Sequence, residues 1–384
     1  MKDLIITDDN AKKTVNGEGI FKKRKLFTKP QVAAIKNSIE HFMPQASKEE
    51  REDFFYRYYY EYLVYGFTVD QMFYLHLLNK THEEKLEYIS HTSKFLYFSR
   101  LNKRKSMHLL EDKYEAYNLL KPYYKRDIII IENQSHFEIF KEFVTKHPEF
   151  VVKPIDLSNG LGIRKVCIDD YDSLEACFLD MLGSGKDFED AQDYKWSSDF
   201  HAAVLEELIV QDESLAELNP SSVNGVRVTT IRIDGKIHIY HPWIKVAVGG
   251  EFVASATLGG FDACIDAETG IVDTNGYLED GSFIEYHPDT NVKIKGFKIP
   301  RWQELIDLSK KVASSMDNTI NYVGWDFVLT PNGWVIMEGN FYGDTMWQMC
   351  YDKGMKSEFE DLIGWKMGNK FWWQYNMADL EEDC

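Results

Sequence analysis

The sequence predicts an α+β protein with a helical, aromatic-rich N-terminal region, and three observations carry that expectation. Residues 1 to about 105 show helix signals and dense aromatics, as in Phe54-Phe55-Tyr56-Arg57-Tyr58-Tyr59-Tyr60. From about 106 to 204, short apolar strands alternate with an amphipathic helix. From 205 to about 365 strands come first, then a helix, then a hairpin over Tyr322 to Asn340, YVGWDFVLTPNGWVIMEGN.

In the first region Thr81 stands ahead of HEEKLEYI with Glu84 three residues on, the capping-box pattern that opens a helix. Lys85, inside that stretch, is expected to be exposed. Tyr and Phe at helical spacing read as packing rather than as a cofactor or base-stacking site. A solvated helix would not expose so many, so part of them is expected to be buried against a neighbour. Asp127 to Ile131 (DIIII) reads as a buried strand, Ser135 to Lys146 as an amphipathic helix and Glu149 to Pro154 as a second strand. Asn159 to Gly162 is turn chemistry, and Arg164 to Ile168 the return strand. VLEELIVQ from Val204, VRVTTIRI, KIHIYHPWIKVA and FVASA from Phe252 read as strands, and Trp302 to Ser315 as a helix. The layout is therefore 1–105 mostly helical, 106–204 one α+β lobe, 205–365 a second lobe, and 366–384 a Trp-rich tail. Whether that tail docks or stays free is open.

The 384 residues are 44% hydrophobic and 28% charged, as in ordinary globular proteins. With 44 basic and 62 acidic residues the net charge is −18. That argues against nonspecific binding to nucleic acid or anionic membranes. Five widely spaced cysteines without a CxxC pair imply neither a zinc site nor a disulfide framework. No signal-peptide core and no run of about 18 apolar residues is present, so a cytoplasmic location without membrane insertion is expected.

The final hairpin carries the strongest chemistry. If Pro331-Asn332-Gly333 is the loop, Asp326 lies opposite Glu338, Val328 opposite Ile336 and Gly324 opposite Asn340. A face ending in Asp, Glu and Asn suits a hard divalent cation such as Mg²⁺; a polar strand end meeting solvent would read the same. Lys153 closes the strand FVVKP, and Asn159-Gly160-Leu161-Gly162 follows as a glycine turn whose N–H groups can fold over phosphates. Glu206 and Glu207 interrupt an apolar segment against which a nucleotide base could lie. Arg227, on the polar side of VRVTT, suits a phosphate, a carboxylate or an oxyanion, and Lys245 on the next strand can reach the same place.

Taken in order, these motifs resemble an ATP-grasp enzyme, in which two α+β lobes hold ATP. Tyr65-Gly66 to Ser90, LEDKYEAY, VVKP, EELIVQ, LNPSSVNGVRVTT, HPDT, GFKIPRW, GWDFV and MEGN are similar to the sugar-transfer-associated ATP-grasp family, over about residues 65 to 345. The resemblance implies that Lys113 and Lys153 contact ATP, that Gly160 and Gly162 form the flexible loop, and that Glu206, Glu207 and Ile209 form the adenine hinge. It implies Asp326, Glu338 and Asn340 as ligands of two Mg²⁺ ions, and Arg227 beside the γ-phosphate. Lys245 stands where the family often has an arginine, so the charge is kept and bidentate geometry is lost. For the ribose, Asp212 and Glu213 both remain candidates.

The chemistry so implied is ligation. A carboxylate attacks the γ-phosphate of ATP, and an amine captures the acyl phosphate; the substrates would be sugar-linked or peptide, and a homodimer is compatible with it. A kinase on the same fold, or a non-catalytic nucleotide-binding partner of a sugar transferase, are the alternatives.

Overall fold

The computed structural model describes residues 27–155, 162–183, 202–251, 254, 259–368 and 370–382. The chain divides into two compact units: Met1–Lys103 with Asp280–Ser282 and Thr345–Cys384, and Arg104–Glu279 with Phe283–Asp344. Among the described residues no helix is long and apolar enough to cross a membrane.

The first unit is helical: Lys29–Phe42, Lys48–Tyr65, Val69–Tyr74, His82–Leu86 and His91–Leu101, joined by Met346–Cys350, Lys356–Ile363 and Met377–Glu382. Its helix starts are written locally. Thr28 with Gln31, Ser47 with Glu50, Thr68 with Gln71 and Thr81 with Glu84 all form capping boxes. The helix after Thr81 ends at Leu86, short of the full HEEKLEYI stretch. Gly66 closes Lys48–Tyr65 at φ +82°, and a Cβ there would overlap Thr92.

The core of this unit holds Phe54, Phe55, Tyr58, Tyr60, Leu63, Val64 and Tyr65, with Phe371 and Trp373 packed against it. The tail docks. Trp372 Nε1 donates to Tyr62 O (2.8 Å) and Trp373 Nε1 to Leu63 O (3.0 Å). Lys85 is not exposed as expected: it is 3% exposed and donates to both oxygens of the fully buried Glu61, at 2.9 and 3.0 Å. A buried carboxylate demands such a partner, and that demand comes from a helix 24 residues upstream.

The second unit contains two antiparallel sheets. One holds β1 (Ile128–Ile131), β2 (Glu149–Pro154), β3 (Arg164–Cys167) and β4 (Ala203–Glu207), in the order β1-β4-β2-β3. The other holds β5 (Gly225–Ile233), β6 (Lys236–Val246), β7 (Phe261–Cys264), β8 (Gly276–Leu278), β9 (Phe283–Ile284), β10 (Tyr322–Thr330) and β11 (Gly333–Asn340), in the order β11-β10-β5-β6-β7-β8-β9. β1 is apolar throughout because both its faces are covered. Ile129 and Ile131 join Phe140, Phe143, Phe150 and Leu205 in one core, while Ile128 joins Val204, Leu120 and Tyr124 in another. The helix Trp302–Ser315 buries Trp302, Leu305, Ile306, Ser309, Val312 and Ala313, one stripe at helical spacing.

Several boundaries differ from expectation. The helix after β1 begins at Phe137, behind a 3₁₀ turn over Gln134–His136. β3 stops at Cys167, where a 3₁₀ turn starts. VLEELIVQ is a strand only to Glu207, since its partner β2 is nearly exhausted: Glu207 faces Phe150, and Pro148 beyond has no N–H to donate. The FVASA strand and Asn159 to Leu161 lie outside the described residues, apart from Ala254.

Candidate active site

The hairpin at the end of the second unit is built differently from the expected one, yet it brings the same residues together. Thr330 pairs with Gly333, so the loop has two residues, Pro331 and Asn332, and Gly333 takes φ +109°. Val328 is therefore opposite Val335, not Ile336. A bulge after Phe327↔Ile336 then adds one residue, Met337, on β11. The two departures cancel, and Asp326 faces Glu338 while Gly324 faces Asn340.

On its other side β10 pairs with β5, placing Asp326 opposite Arg227. Arg227, Asp326 and Glu338 thus lie in one row across three strands. The guanidinium grips Asp326 with two bonds, Nε to Oδ1 at 2.5 Å and Nη2 to Oδ2 at 2.7 Å. Lys245 Nζ adds a third at 3.2 Å to Oδ2. Gly324 makes room for this: a Cβ there would stand 3.1 Å from Arg227 Cδ and 3.2 Å from its Nη1. Burial alone would raise the Asp326 pKa, but Arg227 and Lys245 hold it well below the usual carboxylate range. Asn340 Nδ2 donates to Gly324 O (3.2 Å) and lies 3.3 Å from Glu338 Oε1.

A residue that the sequence reading missed sits next in line. Asp262 on β7 pairs in register with Lys245 and is 3% exposed. Burial pushes its carboxyl up to about 7, with Lys245 opposing and Asp344 adding to the rise. Its only sequence signal is an acid inside the short strand FDAC, just past the Gly259-Gly260 pair.

On the four-stranded sheet, alternation splits the paired glutamates. Glu206 shares a face with Lys153, whose Nζ lies 2.8 Å from Glu206 Oε1. Arg126, also missed, holds Glu206 Oε2 through Nε (3.0 Å) and Nη2 (2.6 Å). Its Nη1 reaches Ile336 O at 2.6 Å, beside the Met337 bulge. Burial would raise the Glu206 pKa, but Arg126 and Lys153 bring it down to about 2. The signal was present as complementary charge at facing strand ends, Lys125-Arg126 before β1 and Glu206-Glu207 closing β4. Glu207 instead accepts from Asp127 N at 3.1 Å. Lys113 Nζ donates to Ile155 O (3.3 Å), just past the end of β2. Asp212 is committed to capping the short helix Glu213–Ala216 through Ser214 N, while Glu213 is exposed. Ile209 is half-buried beyond β4, Gly162 takes φ +72°, and Gly160 lies outside the described residues.

With this geometry in place, the family described as sugar-transfer associated ATP-grasp matches residues 93–362. The chain belongs to that family. Its mixed helix and sheet content and the helical aromatic-rich region ahead of the two sheets belong to that fold. No curated protein matches. Solved structures similar to this chain include D-alanyl-alanine synthetase A from Vibrio cholerae (11% identity, TM-score 0.38, covering 72% of this chain and 66% of that one). Another is D-alanine–D-alanine ligase from Helicobacter pylori (14%, 0.42, 69% and 64%). A third is phosphoribosylamine–glycine ligase from Thermotoga maritima (13%, 0.43, 75% and 66%). In each of the three the match spans less than two thirds of the other chain. The family match, and not these distant likenesses, assigns the fold.

Proposed function

We propose that this ATP-grasp protein is an ATP- and Mg²⁺-dependent carboxylate–amine ligase that forms ADP and works through an acyl phosphate. The observation that carries this reading is the row Arg227–Asp326–Glu338 with Asn340 beside it, cations and oxygen ligands meeting at one strand end. An all-oxygen donor set on a rigid hairpin suits Mg²⁺. Asp326 fits even with Arg227 and Lys245 in place, because an ionised carboxylate accepts at about four lone-pair sites, of which the guanidinium takes two and Lys245 a third. Mg²⁺ held by Asp326, Glu338 and Asn340 would neutralise the triphosphate so that an anionic carboxylate can approach.

The chain's own residues divide the remaining work. Lys153, pinned by Glu206, and Lys113 would contact the phosphates from the end of β2. Leu208, Ile209 and Val210 make no backbone–backbone hydrogen bond among the described residues, so their N–H and C=O groups are open to an adenine edge beside Glu206 and Glu207. Gly160 and Gly162 would let the loop after β2 close and exclude water from the acyl phosphate. A substrate carboxylate oxygen attacks the γ-phosphorus and ADP leaves. The amine nitrogen then displaces phosphate at the acyl carbon, losing a proton as the amide forms. Arg227 would stabilise the transferring phosphoryl oxygens first and the acyl oxyanion second; Lys245 would add charge at the same place. The family's association with sugar transfer supports a sugar-linked carboxylate such as a uronic acid, and the need for ATP supports a cytoplasmic site of action.

Mass spectrometry of ATP-dependent products formed from a metabolite extract of the source organism identifies the substrates. With them, the products should be an amide, ADP and phosphate, and ¹⁸O from the substrate carboxylate should appear in the released phosphate. Label retained wholly in the organic product sinks the ligase reading in favour of a kinase. Arg227→Ala should lower kcat by about 10²–10³ and change the KM for ATP less, since its contact matures in the transition state.

A further inference from the structure

Glu207, neighbour of Glu206, turns its carboxylate to the opposite face of the four-stranded sheet, away from Lys153 and Arg126. There it meets Asp127 and His147. One ligand atom from each of these three lies within 4.8 Å of the others. We infer that Asp127, His147 and Glu207 form a binding site for a transition-metal dication of the Zn²⁺ type, separate from the oxygen-only hairpin proposed for Mg²⁺.

Three rigid elements fix the ligands. Asp127 leads into β1, Glu207 ends β4, and His147 closes the helix Phe137–Lys146, its N–H bonded to Phe143 O at 2.9 Å. Asp127 and Glu207 are further locked by Glu207 N to Asp127 O (3.0 Å) and Asp127 N to Glu207 Oε2 (3.1 Å). Among the described residues, that leaves Glu207 Oε1 without a hydrogen bond. His147 Nε2 lies 3.0 Å from Asp127 Oδ2, and its ring packs on Phe143, centroids 5.0 Å apart. A tetrahedral ion with bonds of about 2.0–2.2 Å needs ligand atoms roughly 3.5 Å apart, which small side-chain rotations supply. One imidazole among two carboxylates favours Zn²⁺ over Mg²⁺ and Ca²⁺, which prefer oxygen alone. Half-exposure leaves a fourth position for water. Lys121 and Lys146 lie near enough to Asp127 to be felt there, which weakens attraction for a dication without blocking it. The ion would replace the contact between His147 and Asp127.

Zn²⁺ is titrated calorimetrically into the full-length protein in buffer holding excess Mg²⁺, which keeps the proposed ligase site out of the comparison. The wild type should bind one ion that His147→Ala and Asp127→Asn each lose or hold about 10-fold or more weakly, both variants keeping the wild-type circular-dichroism spectrum. Zn²⁺ should also raise the unfolding midpoint of the wild type and not of His147→Ala. Absence of Zn²⁺ binding, or equal affinity and stoichiometry in wild type and both variants, overturns the site. Zn²⁺ binding is read without nucleotide and through variants at His147 and Asp127 only, so the ligase reading, which shares Glu207 with this site, is decided separately by its own products.

Discussion

Lys153 is held by Glu206, and Glu206 in turn by Arg126, so the lysine is a charge of fixed position rather than a mobile surface group. Lys153→Ala should therefore weaken ATP binding by calorimetry, while Lys141→Ala, at an exposed lysine of the same unit, should not; equal affinities would remove Lys153 from the nucleotide site. Asp262 makes a second prediction, about stability. Its carboxyl is pushed up to about 7 from an ordinary 3.8. Between those values the folded protein holds a proton that the unfolded chain releases, so this group's contribution is full below about pH 4 and falls as pH rises through 7. The loss is of the order of 4 kcal/mol. Urea denaturation of metal-free protein from pH 4.5 to 8 should show Asp262→Asn with a flatter pH dependence than wild type; parallel curves would rule the effect out. Arg126 and Asp262 left only weak marks in the sequence, complementary charge at facing strand ends for the one and a lone acid in a short strand for the other. Arg126 matters through Glu206, 80 residues on, and through Ile336, 210 residues on, and no local pattern encodes such pairings.

At the level of the element, the hairpin was legible because its information is local. Alternation and turn chemistry place Asp326, Glu338 and Asn340 near one strand end, while their shared face depends on the bulge that cancels the shorter loop. The bulge at Met337 was not legible, since no glycine marks it and its carbonyls answer Arg126 from another sheet. The helix Trp302–Ser315 was read to the residue because its helical period is uninterrupted, and β2 because Pro148 and Pro154 bound its apolar run. β4 was overextended because an apolar run does not reveal where its partner ends. Glu338 is half-buried at a strand end, outside the packed core formed by Phe327, Leu329, Trp334 and Ile336. Glu338→Ala should thus abolish ATP turnover and leave the unfolding transition near that of wild type, as surface substitutions do. Wild-type turnover in that variant would remove Glu338 from the metal site.

At the scale of the whole molecule, the N-terminal helices and the C-terminal segment belong to one compact unit. Ser90 to Leu101 and the segment from Thr345 are far apart in sequence, yet Tyr97 Oη donates to Glu360 Oε1 at 2.6 Å. The amide of Gln348 bridges Ile89 N (2.8 Å) and O (3.1 Å). The sequence announced the aromatic surplus but not its partner, because the tail's Trp and Phe residues carry no periodic signal. Deleting residues 1–64 would remove Phe54, Phe55, Tyr58, Tyr60 and Leu63 and uncover Met349, Phe371 and Trp373, which pack on them. Each fully buried large apolar side chain contributes about 1.5–3 kcal/mol, so losing five is comparable with the typical stability of a whole domain. It would also take the Glu61 partner from Lys85, leaving an ammonium that is 3% exposed in the intact chain without its counter-charge. The truncated chain should be insoluble, or soluble only with strong binding of a hydrophobic dye. Size-exclusion chromatography and ATP turnover decide it: a monodisperse, fully active fragment would mean that the helical region is an accessory and that the tail folds without it.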